Sequence, residues 1–206
     1  MDRFAKGTMF TLTIISILFV IVMGIGLYFK SAPILSERSL LELISSSQWR
    51  PMKGEFGFLP FIVGTLWVTF IAILLAFPIS LLTAIFLTEY AKPIVKKCVF
   101  PALDILAALP SVIYGIWGIL VIVPFISEKL APFFVEYSSG YTVLAAGIVL
   151  GVMILPLLVS LFIEVFSIVP IELREASWAL GATKWQTTKK VVIRKTFAGI
   201  DRKSVV

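Results

Sequence analysis

Four apolar runs constrain this chain more than any other feature, because each is long enough to cross a hydrocarbon core of roughly 30 Å, which takes about 20 helical residues. They are Met9–Phe29, uncharged throughout, and stretches within Phe58–Thr88, Val99–Ile126 and Tyr141–Phe166. Hydrocarbon offers backbone amides no partner, so a spanning segment must close its own hydrogen bonds, as a helix does. The predicted fold class is therefore all-α, a polytopic membrane bundle with four spans. The second and third runs exceed one crossing, which predicts tilt, a re-entrant start or an interfacial lead-in. Pro78, Pro110, Pro124 and Pro156 fall inside or near the spans. Neighbouring helices can satisfy the carbonyls that proline frees.

Composition agrees. The chain is 59% hydrophobic and 15% charged, whereas a soluble domain sits near half apolar and about a quarter charged. It has no histidine and one cysteine, Cys98, which removes structural disulfides, most zinc sites and any histidine-dependent triad. "GATK" (Gly181–Lys184) lacks the spacing of a phosphate loop, and no strand pattern precedes it. No paired-carboxylate site or serine elbow is written either. The reading is a non-enzyme with no cofactor and no metal.

The net charge of +6 is explained by where lysine and arginine lie, at the ends of the apolar runs, and not by nucleic acid. Arg3, Lys6, Lys92, Lys96, Lys97 and the eight cations from Arg174 to Lys203 fall on one side of the alternating topology. Lys30, Arg38, Arg50, Lys53 and Lys129 fall on the other. The positive-inside rule then places both termini in the cytoplasm and makes Lys30–Gly57 the longer external loop, with Trp49 near that interface. The first run is too long for the core of a signal peptide and has no small-residue cleavage site after it, so it reads as an uncleaved span.

The charged segment "REASWALGATKW" (Arg174–Trp185) stands apart. Pro170 suits a first helical turn, with Glu172 and Glu175 near its positive end. Leu173, Ala176 and Leu180 share a face. Gly181 is where a helix would end in a left-handed residue. Thr183 with Gln186 is a capping-box pattern that starts a second helix. The spacing predicts helix, sharp turn, helix. Residue chemistry leaves two uses open: an amphipathic hairpin on the lipid headgroups, or a docking element whose small residues Ala176, Ser177 and Ala179 admit another surface.

Glu175-Ala176-Ser177, followed after three residues by Gly181-Ala182, resembles the EAA loop of binding-protein-dependent ABC transporter permeases. Val191 and Ile193 stand where that family usually has Ile and Leu. "LPSVIYGIWG" (Leu109–Gly118) and Phe58–Ala91 are similar to the phosphate branch, the PstC type. The resemblance covers nearly all of Phe10–Ile200. It implies a coupling loop comprising Glu175, Ala176, Ser177, Gly181, Ala182, Thr183 and Trp185, which fits a cleft in a cytoplasmic ATP-binding subunit. It also implies a second homologous permease subunit, an external phosphate-binding protein and a bacterial or archaeal inner-membrane location. A permease for another oxyanion, such as molybdate or sulfate, shares the same loop. So does a truncated, non-transporting membrane protein with a regulatory role or none.

Departures from the pattern matter. The family commonly has proline after the position of Ile193, and here Arg194 and Lys195 follow, so the second helix can run on. Gly199-Ile200 matches the entry to a next span, but "DRKSVV" follows. The family usually has six spans, so the reading is a C-terminally truncated permease. Its segments are an N-terminal span and external loop over 1–57, an incomplete permease domain over 58–200 and a non-matching tail over 201–206. The family's Arg-x-x-Gly-Glu positions lie in later spans and cannot be carried over.

Ala107, Ser111 and Gly115 recur every four residues on the third run, and Gly147 and Gly151 do so on the fourth. Such stripes allow close helix packing in membranes. A second reading makes Pro110, Ser111, Tyr114 and Gly115 part of a pathway, as interrupted helices are in transporters. Asp104, the one carboxylate early in the third run, reads either as a functional group inside the membrane or as an interfacial carboxylate close to Lys97, and Glu164 reads as solvated or paired with a lysine near the cytoplasmic end of the fourth.

Overall fold

The computed structural model describes residues 2–37 and 39–196. The expectations on Gly199, Ile200 and the tail 201–206 lie outside the described residues. The chain divides into two compact units, Met1–Val63 and Gly64–Val206.

In the first unit, helix α1 (Asp2–Glu37) contains a crossing-length apolar segment, Ala5–Ser36, none of which is buried. Its hydroxyls do not need water. Thr11, Thr13 and Ser16 each donate to the carbonyl four residues back, at 2.8–2.9 Å, so these three hydroxyls are not left open to lipid. A short helix α2 (Leu40–Ser45) leads to a two-stranded hairpin, β1 (Trp49–Arg50) against β2 (Glu55–Phe56). Gly54 closes this hairpin at φ 71°. Trp49 sits edge-on to Phe56 and Phe61, with ring centroids 5.9 and 5.0 Å apart. Such an aromatic cluster suits a membrane–water boundary.

Helix α3 (Leu59–Ile85), which lies in the second unit from Gly64 onward, is extended to Tyr90 by a π turn. Its buried residues include Ala72, Ala76, Ser80 and Ala84, one small residue per turn along one face. That stripe meets helix α6 (Val143–Ser167). A Cβ added at Gly147 would lie 2.6 Å from Ile71 Cγ2, and one at Gly151 would lie 3.3 Å from the Ala72 carbonyl oxygen. The Ser80 hydroxyl donates to the Leu155 carbonyl at 3.3 Å. Small residues let the two backbones approach, which is how helices associate where lipid removes the hydrophobic drive.

The third apolar run is not the single helix that Val99–Ile126 suggests. Helix α4 (Pro93–Ala108) ends, and the backbone is extended at Leu109 and Pro110. A second helical run, α5, then spans Ser111–Phe133 and is itself long and apolar enough to cross a membrane. Proline lacks the N–H that the helix needs, and its ring pushes the preceding residue out of the helical region. Both pieces nevertheless lie along α6. Leu103 of α4 shares a buried cluster with Leu87 and Val159, and Gly118 of α5 abuts Val149. Four helices among the described residues are long and apolar enough to cross a membrane, which makes the protein an all-α, multi-pass membrane protein.

Candidate functional site

At the end of α6 the chain turns through Ile168–Pro170 into helix α7 (Ile171–Ala179). That helix stops in a Schellman motif: the Gly181 N–H donates to the Trp178 carbonyl at 2.9 Å, and Ala182 N–H to the Ser177 carbonyl at 3.2 Å. This closure needs a left-handed residue, which Gly181 supplies at φ 81°. Thr183 then caps helix α8 (Lys184–Thr187) through a complete capping box with Gln186. The helical path continues through π turns over Thr188–Ile193, and Arg194–Thr196 are helical too. No proline stops it there.

The two arms of this elbow are tied on their inner side. Ser177 and Thr187 share a hydroxyl–hydroxyl hydrogen bond of 3.0 Å, and Thr187, Thr188 and Val192 are buried. The outer side is open. Glu175, Ala176, Gly181, Thr183 and Trp185 are exposed and Ala182 is partly so, while Leu180 at the tip is 90% exposed. Leu173, Ala176 and Leu180 thus do not bury a face in the bundle; α7 has no buried residue at all.

One residue of the elbow points inward, and sequence reasoning gives it no role beyond its charge. The Arg174 guanidinium donates to Glu89 Oε1 at 3.1 Å, to the Phe166 carbonyl at 3.0 Å and to the Val169 carbonyl. The side chains of Arg174 and Glu89 are only 11% and 9% exposed. The cation adds charged donors to the Phe166 and Val169 carbonyls at the C-terminal end of α6, while its Nη2 holds one oxygen of the Glu89 carboxylate. Glu89 is 85 positions away in sequence, so no local pattern signals the pair.

The break in the third run is finished by Tyr114. Pro110 cannot donate to the Leu106 carbonyl, four residues back, and the buried Tyr114 hydroxyl does so at 2.9 Å. Pro110 caps α5. Ser111, Tyr114 and Gly115 line an open, mainly apolar cleft of about 420 Å³ shared with Gly118, Thr142 and Val149. Gly115 has nothing within 4 Å of where a Cβ would stand, whereas a Cβ at Gly118 would lie 2.5 Å from Val149 Cγ2. Close approach therefore falls on the Tyr114–Gly118 face, and Ala107 is exposed on the other side of the break. Among the described residues no cationic side chain lines the cleft. Asp104 and Glu164 both line a separate cleft of about 280 Å³ between α4 and α6.

The family described as "Binding-protein-dependent transport system inner membrane component" matches residues 76–200. Among curated relatives, the "Probable ABC transporter permease protein YqgH" of Bacillus subtilis is 41% identical over 161 residues, covering 77% of this chain and 50% of that one. The "Phosphate transport system permease protein PstC" of Pasteurella multocida is 37% identical over 168 residues, 75% of this chain and 52% of its own length. A "Probable phosphate transport system permease protein PstC" of Methanocaldococcus jannaschii is 34% identical over 206 residues, 93% and 65% respectively. The chain spans about half the length of the first two relatives. No solved structure matches it. Over 76–200, the region that holds the stripe on α3 from Ala76 onward, the broken helix and the elbow, the chain belongs to the family of binding-protein-dependent transport system inner membrane components.

Proposed function

We propose that this chain is a permease subunit of an ATP-driven phosphate importer. The elbow is the observation that carries the reading: a rigid helix-turn-helix with an uncovered apolar tip, in a chain whose relatives are described as phosphate transport permeases. In this account ATP binding draws two cytoplasmic ATP-binding subunits together. The tip around Gly181 moves with them, and the spans rock between outward- and inward-facing states. An external binding protein delivers phosphate, and a second, related permease completes the path. The same account puts both termini and the elbow on the cytoplasmic side, supported by the excess of lysine and arginine on that side of the topology.

Competition in uptake vesicles tests the substrate. Unlabelled phosphate is expected to abolish labelled phosphate uptake, with molybdate and sulfate leaving it unchanged. Competition by molybdate or sulfate at equal concentration would favour another oxyanion, and no uptake of any of them would favour a non-transporting protein.

We further assign Pro110, Ser111, Tyr114 and Gly115 to one wall of the route, because a broken helix in a membrane bundle marks substrate passage in other transporters. The Tyr114 hydroxyl donates to the Leu106 carbonyl and Thr142 Oγ1 accepts from the Ala145 N–H, while Ser111 and Tyr141 bring further hydroxyls to the lining of the cleft. Ser111→Leu is therefore expected to slow uptake with insertion intact. Uptake at the parental rate would remove the break from the route and leave it a packing feature.

A further inference from the structure

The elbow is joined to α6 by three residues of chain, Ile168–Pro170, so any displacement of the elbow reaches α6 directly. Helix α3 has no such link. It meets the elbow through the apolar cluster of Ala84, Ile85, Phe166, Val169 and Val192, with Leu81 and Ile193 packed against it, and through Glu89 on Arg174. Apolar contact is non-directional and permits sliding. A charge-assisted bond to a planar guanidinium fixes both distance and direction. This one is shielded from water, and parting the pair would strand a buried charge on either side. The guanidinium is held further by the carbonyls of Phe166 and Val169, so a single side chain grips the ends of two spans.

We propose that Arg174, locked to Glu89, is the positioning residue that transmits displacement of the elbow to α3. The proposal rests on the coupling role assigned to the elbow above. Without the pair, the ATP-binding subunit would still dock and turn over, but α3 would lag behind α6, and with it the packed interface of Ala72, Ala76 and Ser80 with α6.

Glu89→Gln tests this, because it keeps the size and an acceptor oxygen while removing the charge. The protein is placed in vesicles with its ATP-binding subunit, the second permease and the phosphate-binding protein, and phosphate moved per ATP hydrolysed is measured beside co-purification. Co-purification and ATP turnover are expected to persist while phosphate per ATP falls by about tenfold, the change that a barrier difference near one decade in rate produces. Arg174→Lys, which keeps charge but loses the fork, is expected to fall between the two. A parental phosphate-to-ATP ratio in Glu89→Gln would overturn the proposal and leave the coupling role of the elbow standing. Loss of co-purification in Glu89→Gln would overturn it differently, by making the pair a builder of the docking surface. Gly181→Trp measured alongside separates the two claims: if it disturbs neither docking nor uptake, the coupling role itself fails.

Discussion

Replacing Gly181 by tryptophan is expected to cut uptake by at least about tenfold while leaving membrane insertion intact. Gly181 stands at φ 81°, with nothing within 4 Å of where a Cβ would go. Space is therefore not the obstacle. Backbone strain is: an L side chain in the left-handed region costs about 1–2 kcal/mol, and the Schellman closure between Ser177 and Ala182 depends on that conformation. Tryptophan adds bulk to a tip that the account places inside a partner's cleft, and a barrier increase of about 1.4 kcal/mol already lowers a rate roughly tenfold. Gly181→Asn separates the causes, because asparagine tolerates the left-handed region with a far smaller side chain. It is expected to retain most of the uptake. Equal loss in both variants would show that side-chain size at the tip is irrelevant, and parental uptake in the tryptophan variant would defeat the coupling account.

Gly147→Val is expected to be the most damaging change inside the bundle. Its first added carbon would lie 2.6 Å from Ile71 Cγ2 and 2.7 Å from Ile71 Cβ, so α3 and α6 must part. Overpacking of this kind costs roughly 1–3 kcal/mol. Lipid gives little back, since packing itself is what holds membrane helices together. The thermal unfolding midpoint in detergent should fall clearly below that of the parent. Gly115→Ala is the matched control: nothing stands within 4 Å of its Cβ position, and it is expected to leave the midpoint unchanged. Similar shifts in both would mean that helix propensity, not the α3–α6 approach, sets the response.

The contrast between these two glycines shows what could be read from the sequence. Long apolar runs and local caps follow short-range rules, so the helical bundle, the left-handed Gly181 and the Thr183–Gln186 box are all legible. The four-residue stripe Ala107–Ser111–Gly115 is a misleading signal. It crosses the break at Leu109–Pro110, where helical periodicity no longer relates one side to the other, and the buried face is Tyr114–Gly118. The stripe that does pack, Ala72–Ala76–Ser80–Ala84, has the same spacing, yet it sits among bulky apolar residues that hide it. Arg174 and Glu89 carry no local signal at all. Arg174 reads as an orientation charge, Glu89 lies just past the second apolar run, and only the fold brings them together.

The most direct test of the account is hydrogen exchange at the backbone amides from Ser177 to Trp185, with and without the ATP-binding subunit. The tip is exposed in the structure, so its amides not locked in caps exchange freely until something covers them. Leu180, Gly181, Ala182 and Thr183 already donate within the elbow, so the account predicts slowed exchange at Lys184 and Trp185 when the ATP-binding subunit is added, and no change around the Trp49–Phe56 hairpin. A complex that forms while exchange at Lys184 and Trp185 stays at its free rate would contradict it, because the elbow would then not be where the two proteins meet.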